Sequence, residues 1–575
     1  MVATPIKTEN RLTMQTSVIA EGTTAIRSLD WDRDRFDIEF GLQNGTTYNS
    51  YIIRGEKTAL VDTSHEKFRE LYFDTLTGLI DLKDVDYLVI SHTEPDHSGL
   101  VRDVLEKAPH ITVVGSKVAL KFLEELVNQP FTQEMVKNGD TLDLGNGHIL
   151  EFVNAPNLHW PDTIFSYDRG TQTLFTCDAF GLHYCSDDLY DTDLQAISPD
   201  YRFYYDCLMA PNARSVLSAM KRMDKLGEVQ LVANGHGPIL QHHAAELMRR
   251  YQDWSKAQAK AEKVVVVFYV SDYGWSDRLS QAIAHGITKT GVGVEMVDLK
   301  AADQQEVQEL VSRAAGVVMG MPSLSGANTK DTTATIGTIL AATHDKQCVG
   351  LFESYGDDDE PIDPLLNKFR DAGLSEGFPA IRIKDTPSEA TYQLCEEAGT
   401  DLGQLLTRDR NIKQRKALDN DLSKAMGRLS GGLYILTAQK GDVNGAMLAS
   451  WVTQASFEPL GFTVAVAKDR AIESLMQVGD RFVLNILEEG NYQHLMKHFL
   501  KRFKPGEDRF EGINTQKAEN GSPILSDALA YLECEVVSRL ETSDHWIVYS
   551  QVDRGRVSHP DALTAVHHRK VGNYY

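Results

Sequence analysis

Residues 92–97, HTEPDH, follow the apolar run VDYLVIS and put two histidines and two acids directly after a predicted strand. A strand ending at Ser91 hands the next residues to a loop at its C-terminal edge, where a rigid sheet can aim several side chains at one point. Three more ligand-type residues stand in separate segments, each after an apolar or turn-forming stretch: His159 in NAPNLHWPD, Asp178 in TLFTCDAFG and His236 in VANGHGP. A solvated polar loop would account for any one of them. Four loops that each present such a residue near a strand end describe a binuclear metal site assembled from distant parts of the chain. A fold able to do this must bring those strand ends together.

The chain is too long for one hydrophobic core: at about 100–200 residues per domain, 575 residues predict three or four domains. Over the first 255 residues, short β-rich runs (TTYNSYIIR, KTALVDT, VDYLVIS, ITVVGS, HILEFVN) alternate with helical stretches such as VALKFLEELVNQ, a layered α/β pattern. From Lys263 the runs VVVVFYV, VGVEMVDL, AGVVMGMP, QCVGLFES and FPAIRIK are spaced by helical segments, the order of a doubly wound parallel sheet. Beyond the polar stretch 402–420, strands without regular helical crossovers predict a barrel. The expected division of this α/β multidomain chain is 1–258, 259–408 and 409–575.

Charge and cysteine content exclude several functions. A net charge of -24 repels nucleic acid and anionic lipid. The basic stretch 497–504 (KHFLKRFK) reads as a solvated helix face, with an acidic partner as the alternative. No apolar run reaches the roughly 18 residues of a membrane helix, and the N-terminus lacks the apolar core of a secretion signal, so a cytoplasmic location is expected. Six cysteines without CxxC spacing argue against a disulfide framework, a zinc ribbon or an iron–sulfur cluster.

The second domain resembles flavodoxins. After VVVVFYV comes SDYGWSDRLSQAIAHGI, a tight loop before a helix whose free N–H groups favour a phosphate. Ser271, Gly274 and Ser276 match the hydroxyl and glycine positions of a flavodoxin phosphate loop, with Tyr273 and Trp275 beside them. MPSLSGAN (Pro322, Ser323, Leu324, Ser325, Gly326) and ESYGDDDE (Ser354, Tyr355, Gly356) follow the third and fourth strands, where flavodoxins place the loops flanking the flavin ring. The resemblance implies FMN, although Tyr273 replaces a usual threonine and residues 357–360 are all acidic. A flavodoxin fold with weakened flavin binding is the alternative.

The C-terminal segment is similar to the flavin reductase family in GAMLASWVTQASFEPLGFTVAVAK, RFVLNIL, TSDHWIVYSQV and HHRKVGNYY. That likeness implies FMN or FAD reduced by NAD(P)H. Ser450, Trp451, Thr453 and Ser456 would offer hydroxyls and amides to the flavin, with Asn485 and His545 as neighbours. His567 and His568 are either part of that site or a polar tail.

HTEPDH, a histidine 62 residues on, an aspartate 19 further and a histidine 58 beyond resemble the metal-binding series of the flavodiiron proteins, whose first domain has the metallo-β-lactamase αββα fold. Zinc hydrolases of that fold carry histidine where this chain has Glu94. Four imidazoles and three carboxylates suit redox-active iron better than a hydrolytic zinc pair. By this resemblance His92, Glu94 and His159 bind one iron, Asp96, His97 and His236 the other, and Asp178 bridges them. Together the three domains match the long flavodiiron proteins of oxygenic phototrophs. The implied activity is reduction of O2 to water as an electron sink in photoprotection, driven by NAD(P)H or another donor such as ferredoxin. A head-to-tail dimer, or an oligomer with a paralogue, would bring the FMN of one chain close to the irons of another. Reduction of NO to N2O, a dizinc hydrolase, and a regulatory subunit that does not hold FMN are the rival readings.

Overall fold

Alternate residues of the strand Thr46–Arg54 enter two different cores, as the two-residue period of a strand requires. Tyr48 and Ile52 pack with Phe68, Tyr72 and Leu120 on one side; Tyr51 and Ile53 pack with Phe152, Ile164 and Phe175 on the other. The computed structural model describes residues 11–36, 40–270, 275–300, 302–321, 329–354, 362–383, 386–417 and 421–569. They fall into two units, 1–260 and 261–575.

In the first unit Thr46–Arg54 belongs to a seven-stranded sheet in the order Leu12–Ala20, Thr23–Asp30, Thr46–Arg54, Thr58–Val61, Tyr87–Val89, Thr112–Gly115, Thr132–Met135. A five-stranded sheet (Thr141–Gly145, His148–Asn154, Ile164–Asp168, Thr173–Cys177, Leu231–Asn234) faces it across the second core. Helices cover both outer faces. Lys117–Val127 buries Leu120, Leu123 and Val127 on one, while Tyr201, Val216 and Tyr251 pack against Phe165 and Leu174 on the other. This is the expected αββα sandwich. Parallel pairing of Thr58–Val61 with Tyr87–Val89, and of Thr173–Cys177 with Leu231–Asn234, leaves the loops that carry HTEPDH, Asp178 and His236 at C-terminal strand ends.

The second unit begins with a parallel sheet in the order Gly293–Asp298, Val264–Tyr269, Gly316–Met321, Cys348–Ser354, Ser375–Glu376, the 2-1-3-4-5 order of flavodoxin-like folds. Helices Trp275–Thr288 and Glu389–Ala417 meet nearly backbone to backbone. A Cβ on Gly286 would lie 1.9 Å from the carbonyl oxygen of Glu396, and one on Gly399 2.0 Å from that of Ile283. The second helix runs past position 408 to Ala417, and its Leu402 and Leu406 are buried.

Seven antiparallel strands follow, in the order Val443–Ala449, Tyr434–Lys440, Arg481–Ile486, Ala530–Glu541, His545–Val557, Leu460–Ala467, Val452–Phe457. The first and last of these are consecutive in the chain, joined by Ser450 and Trp451 at the split of the barrel. No helix among the described residues is long and apolar enough to cross a membrane.

Gly286→Ala forces a methyl group into a backbone carbonyl, and overpacking of this kind costs about 1–3 kcal/mol. A lowered urea midpoint for the second unit, with the first unit's transition unmoved, is the expected result.

Candidate metal centre

The turn that carries HTEPDH is short and fixed. Glu94 stands just before the one-turn helix Pro95–Ser98, its backbone carbonyl accepting from the N–H groups of His97 and Ser98, and Pro95 supplies a preset φ at a position whose missing N–H costs nothing. Four of the seven non-glycine residues with positive φ among the described residues are Asp62, Asn157, Cys177 and Phe180. Three of these stand one or two residues from His159 or Asp178, and Asp62 Oδ1 accepts the backbone N–H of Ser91 at 2.8 Å. Unfavourable backbone conformations of this sort persist where surrounding structure holds them in place. Gly235 completes the close approach, since a Cβ there would stand 2.6 Å from Cε1 of His97.

All seven predicted ligands come together, buried, in two compartments. In the first, Glu94 Oε2 lies 3.0 Å from His159 Nε2 and 3.3 Å from His92 Nε2. In the second, Asp96 Oδ2 lies 3.3 Å from His236 Nε2, and Asp96 Oδ1 3.6 Å from His97 Nε2. Asp178 stands between them: Oδ1 is 2.9 Å from His97 Nε2 and 3.2 Å from His236 Nε2, while Oδ2 is 3.4 Å from His92 Nε2 and 3.6 Å from His159 Nε2. Asp178 Oδ2 and Asp96 Oδ1 are buried without a hydrogen-bond partner. Acceptor oxygens turned into a ring of imidazole nitrogens fit a pair of cations, because a buried carboxylate needs a compensating charge.

Electrostatics follow from that crowding. Burial pushes the Asp178 carboxyl up, but His97, His236 and His92 outweigh it and hold the group well below the usual carboxylate range. Burial likewise opposes a charge on His236, yet Asp178 and Asp96 raise it to about 10.

Several residues that hold the ligands were not picked out from the sequence. Asp162 Oδ1 shares a hydrogen bond with His92 Nδ1 at 3.0 Å, and its Oδ2 accepts from the Thr93 backbone N–H at 2.7 Å and hydroxyl at 2.6 Å. The carbonyl of Thr47 takes His236 Nδ1 at 2.6 Å. His183, its ring 4.7 Å from that of His236, is kept neutral by burial and by His236. Asp162 had a signal, three residues after His159; a backbone carbonyl 189 residues from His236 had none.

The predicted flavin contacts are placed less completely. Ser271, Tyr273, Gly274, Pro322, Ser323, Leu324, Ser325, Gly326, Tyr355 and Gly356 lie outside the described residues, as does the side chain of Ser354. The strands before these loops end at Tyr269, Met321 and Ser354 and are neighbours in the sheet. Trp275 opens the helix Trp275–Thr288, and the adjacent Ser276 is buried with no hydrogen-bond partner for its hydroxyl.

At the barrel split, the Trp451 ring lies 5.1 Å from the ring of His545 and 5.0 Å from the guanidinium of Arg569. Ser450 Oγ, His545 Nε2, His567 Nε2 and Arg569 Nη1 are buried without hydrogen-bond partners. Arg569 was not among the predicted residues. Thr453 is exposed, Ser456 shares a hydrogen bond with the Tyr549 hydroxyl at 2.8 Å, and Asn485 is turned to the chain itself, bonding Ile435, Thr437 and Leu525.

An αββα sandwich with a two-compartment imidazole–carboxylate site, followed by a flavodoxin-like layer and a split barrel, defines a flavodiiron-class oxidoreductase. Family comparisons agree with that class. Residues 46–237 match the ODP family beta lactamase, 267–399 flavodoxin and 426–574 the flavin reductase like domain. Diflavin flavoprotein A 1 of Synechocystis sp. is 70% identical over 575 residues, covering 100% of both chains. Putative diflavin flavoprotein A 3 of Nostoc sp. is 70% identical over 577 residues, again with 100% of each chain covered. Among solved structures, the metal-soaked Flv1 flavodiiron core from Synechocystis sp. is 38% identical with a TM-score of 0.66, covering 69% of this chain and 99% of that one. The chain belongs to the flavodiiron family of diflavin flavoproteins.

Asp162→Asn removes the charge that orients His92 and should weaken iron retention by about 10–100-fold, read by competition with a chelator. His236, raised to about 10, is protonated at neutral pH in the metal-free protein. An ion taking Nε2 must displace that proton, so metal uptake should release protons and tighten as pH rises towards 10. Calorimetry in buffers of different ionisation enthalpy measures this; uptake without proton release would contradict it.

Proposed function

We propose that this chain reduces O2 to water with electrons from NAD(P)H and so acts as a sink for surplus electrons. Residues 409–575 would hold a flavin, FMN or FAD, able to accept hydride, and residues 259–408 would hold an FMN able to relay electrons. Residues 1–258 would hold the two irons that O2 reduction needs. His92, Glu94 and His159 would hold one iron and Asp96, His97 and His236 the other, with Asp178 between the two sets. The observation that carries this reading is the Asp178 carboxylate, which turns one oxygen to each histidine pair. Bound there, two irons supply electrons in pairs to a diatomic oxidant.

The side chains supply the rest. Three carboxylates offset the charge of oxidised metal, and Glu94 puts a hard oxygen where the zinc hydrolases of this fold have histidine. Asp162 and the Thr47 carbonyl fix the His92 and His236 rings with Nε2 turned inward. The edge of Trp160, 5.1 Å from the His92 ring, and the burial of the ligands exclude bulk water. Asp96, with 11% of its side chain exposed, gives the site its contact with solvent for proton supply. In the barrel, the partnerless nitrogens of His545 and Arg569 beside Trp451 suit an anionic, aromatic ligand such as a flavin nucleotide or NAD(P)H.

Six buried free cysteines accord with a reducing cytoplasm. An oligomer that joins the FMN of one chain to the irons of another, either a homodimer or an assembly with a paralogue, completes the proposal. Retention of full activity by a strict monomer would remove that part.

The test is anaerobic reduction of metal- and flavin-analysed protein by NADH, NADPH or reduced ferredoxin, followed by O2 or NO with product analysis. Two irons per chain and fast O2 consumption to water are expected. Conversion of NO to N2O with sluggish O2 turnover would move the substrate to NO, and two zincs with no reduction would move the reaction to hydrolysis. Asp178→Ala should abolish O2 uptake while flavin reduction by NAD(P)H proceeds at the unaltered rate.

A further inference from the structure

The helix Glu389–Ala417 has two partners within the second unit. Gly399 meets helix Trp275–Thr288 of the flavodoxin-like layer backbone to backbone. From its other side, Gln393 donates to the carbonyl of Asn444 at 2.7 Å and Gln404 to that of Asp469 at 2.9 Å, both in the barrel segment. Between them Glu397 accepts from Arg509 at 2.7 Å and from the backbone N–H of Gly506 at 3.1 Å. Positions 393, 397 and 404 recur at helical spacing and form one stripe.

A charged seam crosses the same boundary. Lys289 Nζ, at the end of helix Trp275–Thr288, lies 2.6 Å from Glu396 Oε1 and 2.9 Å from Glu473 Oε2 of the barrel segment. Arg539 bonds the other oxygen of Glu473, and its guanidinium stacks 4.1 Å from the Trp546 ring. The side chains of Lys289, Glu473 and Arg539 are only 7–8% exposed. Two cations and two anions thus balance away from water. Burial opposes the charge on Lys289, but Glu396 and Glu473 hold it above its ordinary value; burial also opposes that on Glu473, but Lys289 and Arg539 hold it far below. Buried ion pairs contribute little net stability, yet a shift in register would leave a desolvated charge without its partner, which is strongly unfavourable.

We propose that this seam is a register lock that fixes the reductase-like barrel on the flavodoxin-like layer in one arrangement. Electrons entering at the barrel then reach the second flavin domain across a constant distance, with no swinging domain. Only this consequence rests on the function proposed above; the lock itself does not.

Spin labels at Glu309→Cys and Gln516→Cys, both exposed, report the arrangement by electron–electron double resonance. The holoprotein is used, diluted into unlabelled chain to suppress distances between subunits; the native cysteines are buried. One narrow distance peak is expected, unbroadened by molar salt. Lys289→Met combined with Glu397→Gln should at least double its width while the flavin spectra and far-ultraviolet dichroism persist, and Arg539→Lys, which keeps the charge, should leave it narrow. If the double variant does not fold, Glu473→Gln replaces it under the same criterion. A broad or two-peaked distribution in the unaltered chain, or a narrow one in the charge-removing variant, overturns the lock. A narrow peak in a protein whose flavins NAD(P)H cannot reduce would instead overturn the functional reading and leave the lock standing.

Discussion

The shared carboxylate of Asp178 is the interaction on which the first unit depends. Its two oxygens face two histidine pairs, which fixes where four segments from residue 92 to residue 236 must end. Such a concentration of buried charge is unfavourable without metal or close pairing. The αββα sandwich makes it possible by arranging rigid strands so that their C-terminal ends open on one point. Positive φ at Cys177 and Phe180, and the absent side chain of Gly235, are local adjustments that let the Asp178 and His236 loops approach as closely as they do.

In the second unit the corresponding constraint is the backbone contact at Gly286 and Gly399. It sets the position of the helix Glu389–Ala417, whose opposite stripe then meets the barrel through Gln393, Glu397 and Gln404. A stretch that reads as a polar spacer from composition is therefore structural. Its Leu402 and Leu406 are buried.

The metal ligands were legible because ligand chemistry is restrictive: few residue types bind metals, and their attachment to strand ends shows in local patterns. The residues that orient those ligands were less so, since Asp162 looks like any loop acid and the Thr47 carbonyl has no side-chain identity at all. In the barrel, Asn485 reads as a flavin neighbour by its motif, and its amide bonds two other strands, through Ile435 and Thr437 on one and Leu525 on the other; nothing around Trp451 in the sequence gave a sign that Arg569 stacks on the indole. A cluster of that kind forms only when strands distant in sequence curl toward one another.

By itself the sequence determined the three layered modules, the α/β and barrel periodicities, and the seven residues able to bind metal, because each is written in local pattern or in side-chain chemistry. Their division into two sets was implied only by the resemblance; the tertiary structure decided the distances within each set and the turn of one Asp178 oxygen to each. It alone also decided which charges, Lys289, Glu396, Glu473 and Arg539 among them, leave the surface to become a seam. Pairing and burial depend on contacts between residues distant in sequence, 81 apart for His97 and Asp178 and 107 for Lys289 and Glu396, and no local pattern encodes them.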